Sequence, residues 1–131
     1  MLLDPTTPRA RPTVLVCDDE PVLRMLVRAT LDQGNYTVVE ACDGDEALAR
    51  TRSDHPDLIL LDMMMPGRSG SDVLRELRAD PATAETPVIM LTARAQASDR
   101  EAMNLAGANH YLTKPFSPAG LASLVEEVLG A

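Results

Sequence analysis

Several carboxylates in this chain stand at the ends of apolar runs. Asp18 and Asp19 follow Thr13 to Cys17, and Asp62 closes the run Leu58 to Leu61. Thr92 ends a further run from Pro87, and Lys114 comes just after His110 to Thr113. A charge at the mouth of an aliphatic segment is costly unless it is paired or bound to a metal. Three carboxylates brought together repel, and at least one takes up a proton unless a cation intervenes. Oxygen-only donors select a hard cation such as Mg²⁺. A carboxylate can also attack phosphorus and become an aspartyl phosphate. The oxygens of the transferred group then need neutralising, by a metal on one side and by an ammonium or hydroxyl on the other. Lys114 and Thr92 are of the right types for that second task.

That chemistry requires the groups to converge, so the elements around them decide the matter. TVLVC predicts a first strand, and Asp18-Asp19-Glu20-Pro21 suits the start of a helix. That helix is expected to reach about Gln33, with Leu23, Leu26, Val27, Thr30 and Leu31 inward and Gly34 as its stop. A second strand is expected from about Tyr36 to Glu40. A second helix follows from Asp43, with Ala47, Leu48 and Thr51 inward and His55-Pro56 at its end. DLILLD is apolar throughout rather than alternating, the mark of a central parallel strand buried on both faces. A third helix begins at Gly70-Ser71-Asp72 with Val73, Leu74 and Leu77 inward. Strands at Pro87 to Thr92 and His110 to Thr113 flank a fourth helix over Ser98 to Ala106, stopped by Gly107. A last helix places Leu121, Leu124, Val125, Val128 and Leu129 inward.

Strict strand–helix alternation implies an α/β fold, a parallel sheet with helices on both faces joined by right-handed crossovers. In such sheets a ligand sits outside the carboxyl ends of the strands. All the chemically useful groups above lie at those ends.

Composition narrows the classes further. The 131 residues suit one domain, with Met1 to Pro12 as a proline-bearing lead-in and 13–131 as the folded unit. Aromatics are only 2%, so the core is aliphatic. A net charge of −8 argues against a nucleic-acid footprint and against a polybasic membrane anchor. No apolar run approaches the ~18 residues of a membrane span, and Met1 to Pro12, with an early Asp and no long apolar stretch, is not expected to act as a secretory signal. Cys17 and Cys42 are expected to be reduced, buried thiols, and the chain to be cytoplasmic.

The segments VLVCDDE, LILLDMMMPGRSG, PVIMLTA and HYLTKPF, in this order and spacing, resemble the receiver domain of bacterial two-component response regulators. The resemblance spans about Thr13 to Leu129. It implies a flavodoxin-like three-layer sandwich, (βα)5, with strand order 2-1-3-4-5. It implies that Asp62 accepts a phosphoryl group from the phosphohistidine of a sensor histidine kinase or phosphotransfer protein. Asp19, Asp62 and the backbone carbonyl of Met64 would hold Mg²⁺, for which Mn²⁺ can substitute, and Asp18 would reach the ion through water. Lys114 would contact the phosphoryl group, Thr92 would be the switch hydroxyl, and Tyr111 the aromatic that turns behind it. Pro115 resembles the family's cis-proline position.

An effector protein or domain would read the face formed by the fourth helix, fifth strand and last helix. That last helix carries Glu126 and Glu127 but no arginine, against one mode of dimerisation there. The domain would catalyse only its own phosphorylation and dephosphorylation. Met64 and Arg94, two residues beyond the acceptor and the switch hydroxyl, offer no acid or amide to orient water, which predicts slow self-hydrolysis. Met63 and Met65 are read as gap-filling. The alternatives are a receiver-shaped adaptor that takes no phosphate, a phosphatase and a flavin-binding module. Met64 stands where a phosphatase needs a general acid, and Asp-Asp-Glu-Pro replaces the phosphate loop a flavin module needs.

Overall fold

A computed structural model of the chain describes residues 11–32, 35–93, 101, 104 and 107–130. In order, these form β1 (Thr13–Cys17), α1 (Pro21–Leu31), β2 (Thr37–Ala41), α2 (Gly44–Asp54), β3 (Leu58–Asp62), α3 (Gly70–Ala79), β4 (Val88–Thr92), β5 (His110–Thr113) and α4 (Pro118–Leu129). Every strand pair is parallel and the sheet order is β2-β1-β3-β4-β5. The flavodoxin-like order is therefore present. The predicted fourth helix over Ser98 to Ala106 lies outside the described residues except for Glu101 and Asn104, both helical. Its expected stop, Gly107, has φ 103° and donates its N–H to the Asn104 carbonyl at 3.1 Å. Gln33 and Gly34, predicted as the end of the first helix, also lie outside the described residues, as do residues 1–10 of the lead-in.

β1, β3 and β4 are buried almost end to end because both faces of the sheet are covered. Alternate residues serve different layers. Leu15, Cys17, Ile59, Leu61, Val88 and Met90 pack with α2 and α3, around Ala47, Leu48, Val73, Leu74 and Leu77. Val14, Val16, Leu58, Leu60, Ile89 and Leu91 pack with α1 and α4, around Val27, Leu31, Leu121 and Val125.

β4 begins at Val88 rather than the expected Pro87, and three further details depart from the sequence pattern. β2 runs one residue later than expected, because its ladder pairs Thr13 with Thr37 and Cys17 with Ala41. Leu26, predicted inward, is 37% exposed. The stripe that meets the sheet is Leu23, Val27 and Leu31, one helical repeat apart, and Leu26 falls on its flank. Cys42, predicted buried, is exposed, because β2 ends at Ala41 and the chain turns outward there. Cys17 is buried, and burial pushes its thiol far up, so it is inert.

Among the described helices, α2, α3 and α4 start on side-chain caps. Asp43 accepts from the Glu46 N–H at 2.8 Å, and Glu46 Oε1 accepts from the Cys42 N–H at 3.0 Å. This reciprocal pair is a variant of the capping box. Ser69 caps α3 and Ser117 caps α4. α1 differs: Glu20 occupies the cap position without a side-chain cap bond, and Pro21 opens the helix. Removing the α2 cap by Asp43→Ala is expected to cost about 1 kcal/mol, and Asp43→Asn to cost little. Thermal unfolding of the three proteins checks this; equal midpoints for wild type and the alanine variant would contradict it.

Candidate functional site at the carboxyl ends of the strands

Asp18 continues β1 by one residue and is fully buried. Each of its polar groups is engaged. Its N–H donates to the Ala41 carbonyl at 3.1 Å, and its own carbonyl accepts from Arg24 Nη1 at 2.7 Å. Oδ1 accepts from the Glu20 N–H at 2.9 Å and Oδ2 from Lys114 Nζ at 2.7 Å. Asp19 and Glu20 are exposed beside it. Carboxylate oxygens of Asp18, Asp19 and Glu20 lie within 4.8 Å of one another. Sequence patterning gave Glu20 only a dipole role; its uncommitted cap position explains why its carboxylate stands with the other two.

Asp62 ends β3 and is 4% exposed. Its Oδ1 accepts from Lys114 Nζ at 3.1 Å and from the Met64 N–H at 3.3 Å. The loop after it is tied back at once: the Gly70 N–H donates to the Met63 carbonyl at 3.0 Å. A Cβ at Gly70 would lie 2.2 Å from the Asp62 carbonyl oxygen and 2.9 Å from Met63 Cα. No side chain fits there, so glycine lets α3 begin directly against the Asp62 backbone. Arg68, in the same loop, pairs with Asp45 at 2.7 Å and with Glu76, which ties the loop to α2 and α3. The Met64 side chain is 77% exposed, whereas Met65 is buried and Met63 packs on the core.

Lys114 joins the two sides. Its Nζ also lies 3.8 Å from Glu20 Oε1. Its backbone N–H donates to the Thr92 carbonyl at 2.7 Å, and the Lys114–Pro115 bond is cis. Thr92 is buried, and Tyr111 is half-buried against the layer containing Cys17 and Met90. The structure thus brings Asp18, Asp62 and Lys114 into direct contact, sets Asp19 and Met64 beside them, and links Thr92 through the backbone. Tyr111 sits further along β5, paired with Met90. Arg94 lies outside the described residues. Glu20, Arg24 and Gly70 are contributors that the sequence pattern did not assign to the site.

Burial, reinforced by the negative charge of Asp18, raises the Asp62 carboxyl above its ordinary range; the Lys114 and Met64 hydrogen bonds oppose this without cancelling it. Burial alone would lower the Lys114 ammonium, but its bonds to Asp18 and Asp62 outweigh that and hold it above its ordinary value.

A family model for the response regulator receiver domain matches residues 14–126. This chain belongs to that family. The receiver is 44% identical over 116 residues to the transcriptional regulatory protein ResD of Bacillus subtilis, covering 88% of this chain and 47% of that protein. It is 41% identical over 116 residues to the phosphate regulon transcriptional regulatory protein PhoB of Escherichia coli, covering 88% of this chain and 51% of that one. The receiver thus spans about half the length of these relatives. Among solved structures, the chemotaxis response regulator CheY4 of Vibrio cholerae superposes with a TM-score of 0.86 at 32% identity, covering 90% of this chain and 98% of that one. The receiver domain of a sensor histidine kinase from Pseudomonas aeruginosa, with magnesium coordinated in its active site cleft, gives 0.84 at 34% identity, covering 93% and 100%. Among the described residues, no helix is long and apolar enough to cross a membrane.

The raised Asp62 carboxyl has a sign that can be measured. Across the window from its ordinary value to its raised one, the native state holds more protons than the unfolded chain, so stability falls as pH rises. Above that window ionised Asp62 is a net cost. Asp62→Asn is therefore expected to stabilise chelator-treated receiver at neutral pH, by on the order of 1 kcal/mol. The gain should vanish below the ordinary carboxylate range. Melting curves at the two pH values decide it, and a neutral-pH midpoint no higher than wild type's would contradict it.

Proposed function

We propose that this receiver accepts a phosphoryl group on Asp62 from the phosphohistidine of a sensor histidine kinase or phosphotransfer protein. The observation that carries this is the pairing of a nearly buried carboxylate at the end of β3 with an ammonium 3.1 Å away. In the transfer an Asp62 oxygen attacks phosphorus, the P–O bond forms, the P–N bond to histidine breaks, and the released imidazole takes its proton from solvent. Lys114 is positioned to move from the carboxylate to a phosphoryl oxygen. Exposed Val22, Met25 and Met64 offer apolar contact to a protein donor on α1 and the loop after β3.

The donor set suits Mg²⁺: it is made of hard oxygens, with Asp19, Asp62 and the Met64 carbonyl as ligands and Asp18 acting through water. The magnesium in the Pseudomonas aeruginosa relative supports this assignment. When bound, the ion neutralises charge on the phosphoryl oxygens. Mn²⁺ fits the same oxygen donors.

Loss of the Lys114–Asp62 bond on phosphorylation would be felt at Thr92, whose carbonyl holds the Lys114 N–H, and onward at Tyr111. We assign to these two the switching of an effector-binding face that includes β5 and α4, by a shift between existing states. The receiver acts on no other substrate, works in the cytoplasm, and has no direct contact with nucleic acid or membrane.

Incubation with acetyl phosphate and Mg²⁺ should add one phosphoryl mass to the intact protein. Chelator should prevent this, as should Asp62→Asn. No gain for wild type would favour the adaptor instead. Once formed, the phosphoryl group should outlast the seconds timescale at room temperature, because Met64 orients no water; decay within seconds would refute that part.

A further inference from the structure

We propose that Arg24 is a positioning residue for the cation site: it fixes the peptide that joins Asp18 to Asp19. This rests on the Mg²⁺-dependent reading above. The regular ladder of β1 ends at Cys17, paired with Ala41 on one side and Leu61 on the other. The Asp18 carbonyl lies beyond it, and a guanidinium takes the place of a strand partner, with Arg24 Nη1 at 2.7 Å. A charge-assisted bond of that length is among the stronger ones. Because a peptide unit is planar, holding the Asp18 oxygen also holds the N–H and Cα of Asp19. Asp19 is an exposed side chain, and it needs such an anchor to present its carboxylate in a constant direction.

Arg24 is itself held. Its Nε donates to Glu40 Oε1 at 3.0 Å, and its side chain is only 18% exposed. Glu40 also receives Arg28 through Oε2, at 2.9 Å from Nε and 2.8 Å from Nη2, and Arg28 Nη2 donates to the Val38 carbonyl at 3.1 Å. The Arg28 bond, joined by that of Arg24, keeps the Glu40 carboxyl below its ordinary value despite burial, so the anchor stays charged. The two arginines share one carboxylate and both bind α1 to β2. Only Arg24 touches the acidic loop. That difference separates positioning from simple helix docking.

The test is Mg²⁺ affinity by isothermal titration calorimetry on the whole chain, with thermal unfolding in chelator measured alongside. Arg24→Met keeps the apolar stem and loses every donor; it should weaken Mg²⁺ binding by about tenfold or more. Arg28→Met removes the other half of the Glu40 pair and should leave affinity within about twofold of wild type, whatever it does to the melting temperature. Arg24→Lys should fall between, since one ammonium cannot bridge Asp18 and Glu40 as the guanidinium fork does. Wild-type affinity in Arg24→Met overturns the proposal, as does an equal loss in Arg28→Met. If Arg24→Met fails to fold, Arg24→Lys decides: wild-type affinity counts against the proposal, and a loss of severalfold at an unchanged melting temperature supports it. Wild type that binds no Mg²⁺ overturns the underlying reading instead.

Discussion

One ammonium between two buried carboxylates organises the whole carboxyl end of the sheet. Asp18 and Asp62 stand on adjacent strands, and their charges could not share so dry a place alone. Lys114 Nζ, 2.7 Å from one and 3.1 Å from the other, makes the arrangement tolerable. It comes from the far side of the sheet, beyond β4, so the strand order must be right before the pair can form. Ion pairs of this kind are weak evidence for stability, since desolvation offsets much of the attraction. Their value here is chemical. The carboxylate is left somewhat too costly when ionised, and the ammonium stays reliably charged.

The rest of the site is a set of anchors for that triad. Asp18 is held through its N–H, its carbonyl and both carboxylate oxygens, and so has little freedom left. Asp62 is held from behind by the tight approach of Gly70 and ahead by the Met64 N–H. Arg68 tethers the tip of its loop to two helices. The Thr92 carbonyl accepts from the Lys114 N–H, and that bond ties β4 to the lysine.

Much of this was legible in the amino-acid order, for identifiable reasons. An apolar run that stops at a polar or charged residue marks a strand and its carboxyl end, which is why Asp18, Asp62, Thr92 and Lys114 could be placed at one end of the sheet. Gly107 could be read as a stop because only glycine tolerates its left-handed φ easily. Arg24 with Glu40 could not be read. Their meeting depends on how α1 lies over β2, which no local pattern encodes. Gly70 looked like a helix start, and its closeness to the Asp62 carbonyl is a tertiary fact. Leu26 and Cys42 were misplaced because apolar character alone does not tell the flank of a helix from its centre, nor the last strand residue from the first of a loop.

The alternation that assigns each strand residue to one of two packed layers has a mechanical consequence. The layers are insulated from each other by the backbone of β1, β3 and β4, so a void opened beneath α1 and α4 should not relax the side chains beneath α2 and α3. Damage in one layer should add to damage in the other rather than compound it. The sheet acts as a partition wall, and the acidic end is mounted on its rim, braced by Arg24 from one room and by Gly70 and Arg68 from the other.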